Sequence, residues 1–274
     1  MSEAAETKSF WEHLEDLRGS LIRMLVAFTV FSVAAFCFKD LLFKVVLAPK
    51  DSSFFMYKLF GGGDFSLRLM NTGLTEQFMI HLKTACAFGF LMASPYLIYV
   101  LFDFVRPALY ENERKHSVSI VLAAYLMFLV GVAVNYLFVF PLTVRFLGTY
   151  QVSDEVRNML TLQSYMDTLL MMSIVFGIVF EIPVISWLLA RFGLLKAEWM
   201  TQYRRHAIVA ILILAAIITP TADAFTLLIV SLPIWLLYEV SVLVVKRVGK
   251  NEMPQGRDAK FYVSTNPTNR EHNP

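Results

Sequence analysis

Residues Leu169–Ala190 read LLMMSIVFGIVFEIPVISWLLA, an apolar run of membrane-spanning length with one carboxylate, Glu181, near its middle. A charge at the centre of a bilayer costs about 2.5–3.5 kcal/mol on insertion scales, so Glu181 must face protein or water and not lipid. Pro183 offers no N–H to the carbonyl of Val179, and the span is expected to bend beside the acid. Two readings of Glu181 stand. It is a buried acid satisfied by a neighbour such as Asn135, Gln163 or a Ser/Thr hydroxyl, holding helices in register, or it is a polar site for a substrate, a proton or a partner helix, the default for an intramembrane acid.

The chain around this stretch is equally apolar. Of its 274 residues 57% are hydrophobic and only 17% charged, with a mean hydropathy of +0.58, well outside the range of soluble domains. The composition reads as a polytopic, all-α membrane protein. Cys37 and Cys86 lie in apolar runs without a CxxC, and His13, His81, His116, His206 and His272 are scattered. No metal and no cofactor is expected. Neither GxxxxGK[ST], HExxH nor GxSxG occurs, so no enzyme is expected and no nucleotide-driven pump.

Phe10, Leu14, Leu17 and Leu21 recur at helical spacing, with Glu12, Glu15 and Asp16 on the other side. An interfacial helix over about 9–20 is expected, running straight into a first span at Leu21–Phe38. The polar-interrupted stretch Lys39–Glu76, with Gly61-Gly62-Gly63, reads as an external loop holding short amphipathic pieces. Further spans are expected at Thr84–Phe102, at Ser117–Phe140 (ended by Pro141) and at the opening stretch. Two short ones follow at His206–Thr219 and Ala224–Tyr238, covering about 21–23 Å against a hydrocarbon core of about 30 Å. Residues 1–245 thus form one six-span membrane domain, and 246–274 a polar tail expected to be disordered. Pro95, Pro183 and Pro233 fall inside the even-numbered spans, which predicts a bent, concave bundle.

The N-terminal tail (counting Arg23), the second and fourth connections and the C-terminal tail hold 16 Lys and Arg, and the other three connections 7, five of them (Lys39, Lys44, Lys50, Lys58 and Arg68) in the first external loop, which runs against the trend. By the positive-inside bias both termini are cytoplasmic. That side also carries two acidic clusters, Glu12/Glu15/Asp16 and Glu111/Glu113. Separated carboxylates suit two planar guanidinium groups better than two ammonium groups; the plainer reading is a solvated helix face and a turn paired with Arg18, Arg114 and Lys115. Asp223 suits the N-cap of the last span.

Taken together, FWEHLEDLRGSL, VRPALYENERK, FGIVFEIPV and ITPTADAF resemble, in order and spacing, the motifs of the TatC family, six-span receptor subunits of the twin-arginine protein translocase. The resemblance covers about Phe10–Glu239. It implies a receptor in a bacterial cytoplasmic (inner) membrane that binds twin-arginine signal peptides of folded cargo. Such a receptor assembles with itself and with single-span TatA/TatB-type proteins, and drives export by the proton-motive force, with no nucleic-acid partner. By position, the resemblance assigns signal binding to Asp16 with Glu15 beside it, Arg18, Phe104, Pro107, Tyr110 and Glu113. It matches Glu181, Pro49 and Asp223 to the family's intramembrane and loop positions. Where the family has Glu before Leu-Arg this chain has Asp16, and Leu227 stands where a Gln is usual. The alternative reading is a proton-coupled secondary transporter of a small solute with Glu181 as proton carrier.

Overall fold

A computed structural model describes residues 10–59, 67–105, 117–150, 159–219 and 223–252. The described residues are almost wholly helical. The interfacial segment and first span form one uninterrupted helix, α1, Phe10–Cys37. The external loop contains α2, Lys39–Val46, a 3-10 turn at Ala48–Lys50 begun by Pro49, α3, Phe55–Leu59, and a two-residue strand β1, Leu69–Met70. The triple glycine lies outside the described residues.

Helix α4, Glu76–Val105, continues across Pro95. Helix α5, Ser117–Val134, passes through a π-helical turn at Asn135–Val139 into α6, Phe140–Thr149. The expectation that Pro141 ends this span is therefore wrong. Proline near a helix's first position lacks only an N–H that is not needed there, and the π-turn before it makes α6 in effect a new helix start.

Strand β2, Leu160–Thr161, pairs in parallel with β1, Leu69 facing Leu160 and Met70 facing Thr161. The opening stretch divides as Pro183 predicts. Helix α7, Leu162–Val179, stops at Phe180–Glu181, and α8, Ile182–Arg191, resumes with Pro183 in its first turn. Short α9, Ala197–Gln202, leads into α10, Arg204–Ile218, which at 15 residues is short as expected. Among the described residues five helical stretches are long and apolar enough to cross a membrane, and α10 is not one of them.

The last helix departs from expectation. Helix α11 runs Ala224–Glu252, 29 residues, through Pro233, so it spans fully and crosses the expected boundary at 245/246. Two interactions carry it past Tyr238. Glu239, just beyond the expected span, is paired with Arg204 at 2.8 Å, and Val242, Val245 and Val248 bury against Ala190 and Met200 in a small core of their own.

The helices pack in a row: α1 lies on α4, α4 on α5, α5 on α7, α8 on α11, and α11 on α10. The main core centres on Phe140, Met166, Met172, Phe176, Ala215 and Val230, all fully buried. Close approach depends on glycine. A Cβ on Gly131 would stand 2.5 Å from the carbonyl of Phe176, and one on Gly177 the same distance from the Phe128 ring. Small residues let α5 and α7 touch backbone to backbone, the packing that lipid, itself apolar, cannot drive by the hydrophobic effect. A Gly131→Val chain is accordingly expected to lose about 1–3 kcal/mol, whereas Gly19→Ala, where nothing lies within 4 Å, should lose none. Unfolding curves in detergent for the two variants check both.

Candidate functional site

Glu15, Asp16 and Arg18 sit on the exposed first turns of α1. Phe104, half-buried, is at the far end of α4. Helices α1 and α4 run antiparallel: Phe36 stacks on His81 with ring centroids 4.1 Å apart, and a Cβ on Gly89 would collide with Ser32. Carried along both helices from the Ser32–Gly89 contact, Asp16 and Phe104 each lie about 22–24 Å away in the same direction. The register thus brings the acid of the first motif level with the start of the second. Pro107, Tyr110 and Glu113, the rest of that motif, lie outside the described residues.

Glu181 is at the break between α7 and α8, in helical backbone. Its N–H reaches the carbonyl of Ile178 at 3.0 Å. One carboxylate oxygen is buried and, among the described residues, has no hydrogen-bond partner. Among the described residues none of the neighbours proposed for it bonds to that oxygen. The Asn135 amide donates to Ser173 at 2.9 Å, and the backbone N–H of Gln163 donates to Glu76 at 3.0 Å. An unsatisfied buried oxygen is costly, so of the two readings of Glu181 the register-holding one loses its named partners. The Asn135 side-chain oxygen is similarly buried without a partner.

Asp223 caps the last helix as the sequence suggests, accepting from the Thr226 N–H at 2.8 Å. Pro49 is buried, and its carbonyl is an acceptor. The Tyr57 hydroxyl lies 2.8 Å from that oxygen and 3.2 Å from the Pro141 carbonyl. Burial pushes the Tyr57 phenol above its ordinary pKa, so it remains a donor.

Tyr57 belongs to a set the sequence reading missed. Tyr136 donates to the Val45 carbonyl at 2.7 Å, and Tyr165 to that of Val46 at 3.0 Å. Three hydroxyls from α3, the π-turn and α7 therefore satisfy the carbonyls at the end of α2 and in the 3-10 turn. Glu76, also missed, is buried and accepts from the N–H groups of Thr72 at 2.9 Å and Gly73 at 2.8 Å as well as from Gln163. One carboxylate thus answers backbone donors at the starts of two spans. The only sequence signal was an acidic residue opening an apolar run; its partner 87 residues away was invisible.

Residues 12–233 match the family described as Sec-independent protein translocase protein (TatC). The chain belongs to the TatC family. Similar members include the Sec-independent protein translocase protein TatC of Desulforapulum autotrophicum, 33% identical over 92% of this chain and 89% of that one. Another is that of Deinococcus radiodurans, 32% identical over 90% and 89% respectively. A crystal structure of a twin-arginine translocase receptor, TatC, superposes with a TM-score of 0.73 at 30% identity, covering 86% of this chain and 99% of that one. A second, in DDM, gives the same TM-score over 85% and 98%. The family's role is protein translocation, and with its apolar helices this TatC family member is a multi-pass membrane protein.

Substituting Glu76 by Ala should leave the N–H groups of Thr72, Gly73 and Gln163 without acceptors. Hydrogen–deuterium exchange is expected to rise together in the segments 67–76 and 159–166, with α11 unchanged. Tyr57→Phe, which removes one buried hydroxyl, should cost about 1 kcal/mol in detergent unfolding.

Proposed function

We propose that this chain is the signal-receptor core of a twin-arginine translocase in a bacterial inner membrane. Its termini are cytoplasmic and six segments are embedded, α10 among them. Glu15 or Asp16 takes one guanidinium of the signal's arginine pair and Glu113 the other, with Arg18, Phe104, Pro107 and Tyr110 shaping the site. The carboxylates give planar, two-pronged acceptors that arginine matches and lysine does not. The apolar part of the signal follows along the bundle, and TatA/TatB-type single-span proteins and further copies of the chain complete a transport path powered by the proton-motive force.

Membership of the TatC family supports this reading, as does the observation that carries it: the antiparallel register that sets Asp16 level with Phe104, where the second motif begins. Glu181, 165 residues further along the chain than Asp16 and with a buried oxygen unsatisfied, is read as a polar anchor used after recognition, together with Pro49 and Asp223 at the opposite end of the spans from the first motif.

Site-specific crosslinking of a twin-arginine signal peptide from positions 16 and 104, against its twin-lysine form, tests the site. Asp16→Asn with Glu113→Gln should reduce the arginine preference by roughly tenfold or more, the effect of losing one to two charge-assisted hydrogen bonds. Undiminished preference would sink this assignment. Glu181→Ala should keep signal crosslinking and abolish transport in membrane vesicles; if crosslinking disappears too, Glu181 belongs to recognition itself.

A further inference from the structure

Between α1, α4 and α7 a trough of about 720 Å³ opens to the side of the bundle. Phe28, Leu82, Phe90, Leu170, Met171 and Ile174 make its walls hydrocarbon. Phe90, Leu170 and Ile174 also line a deeper apolar cavity of about 230 Å³, so the trough continues inward. At its other end stands a charge pair. Lys83 Nζ and Asp167 Oδ1 are 2.6 Å apart, with side chains 47% and 42% exposed. They lie about 10 and 8 Å in from the first residues of α4 and α7, just before α4 becomes continuously apolar at Thr84. Both stand where the polar start of their helix gives way to its apolar run.

An ion pair left half-open at this boundary, above an apolar trough, matches an amphiphile that carries both charges. We infer that the trough holds one phospholipid with a phosphate and a primary ammonium in its headgroup: its acyl chain in the trough, its phosphate on Lys83 and its ammonium on Asp167. Water is a poor occupant, because walls this apolar offer it too few partners. The trough alone selects nothing, since bilayer chains are as apolar as leucine wherever they lie. Selection has to come from the headgroup. Phosphatidylglycerol brings the same phosphate to Lys83 but no cation to Asp167, whereas the zwitterion complements both.

The test compares phosphatidylethanolamine with phosphatidylglycerol of the same acyl chains, each added to the full chain purified in nonionic detergent and read by native mass spectrometry. One molecule of the ethanolamine lipid should be retained with about fivefold preference, the scale that a partly exposed ion pair allows. Lys83→Gln with Asp167→Asn should erase the preference while leaving the helical circular dichroism unchanged. Equal retention of the two lipids by the unaltered chain would overturn the inference without recourse to any variant, and so would a preference that survives the double substitution. The native Cys86, which lines the same trough, supplies a second readout in a Cys37→Ser background. In ethanolamine-lipid bilayers it should resist a charged, membrane-impermeant methanethiosulfonate. Rapid labelling would mean a water-filled trough, and crosslinking from Cys86 to a peptide or a second copy in preference to lipid would mean a different occupant; either result would end the proposal.

Discussion

A buried backbone donor or acceptor has to find its partner inside the protein, and that demand explains the most elaborate part of this chain. Helices satisfy themselves; the irregular segment between α1 and α4 does not. Its carbonyls at Val45, Val46 and Pro49 are answered by Tyr136, Tyr165 and Tyr57, and the N–H groups before α4 by Glu76. Because Glu76 also receives Gln163, the same interactions that solvate the loop tie the start of α4 to the start of α7. The paired strands at Leu69–Met70 and Leu160–Thr161 reinforce the tie.

At the other extreme of this constraint is Glu181. The chain spends a helix break on it, since Pro183 removes the N–H that would continue α7. The break leaves a carboxylate oxygen buried with no partner among the described residues. The two acids therefore have opposite characters: Glu76 accepts from several donors, while Glu181 keeps one buried oxygen without a partner among the described residues. The Lys83–Asp167 pair lies between these extremes, mutually satisfied yet open on one side.

Helix α11 shows how a short read of a span goes wrong. The expected span stops short of Glu239, but the apolar run resumes at Val240 and the helix continues through it, because Arg204 pairs with Glu239 from the neighbouring helix and three valines one turn apart find a buried face on Ala190 and Met200. Pro141 misleads in the same manner: a residue that terminates helices in isolation sits in a first turn here, after a π-turn has already interrupted the pattern.

What the sequence by itself determined was everything that depends on local periodicity and composition: apolar runs long enough to cross a bilayer, the break beside Glu181, the cap at Asp223, the amphipathic start of α1 and the four motifs of the TatC family. These are properties of neighbours in the chain, and one-dimensional patterns record them. Only the tertiary structure decided which distant groups meet. The bonds of Tyr57 to Pro141, of Tyr136 and of Tyr165, the second helix served by Glu76, the Arg204–Glu239 and Lys83–Asp167 pairs, and the Asn135–Ser173 bond all join residues 35 or more positions apart. Their geometry is set by how tightly Gly89, Gly131 and Gly177 let the helices approach, a distance that no pattern of single residues carries.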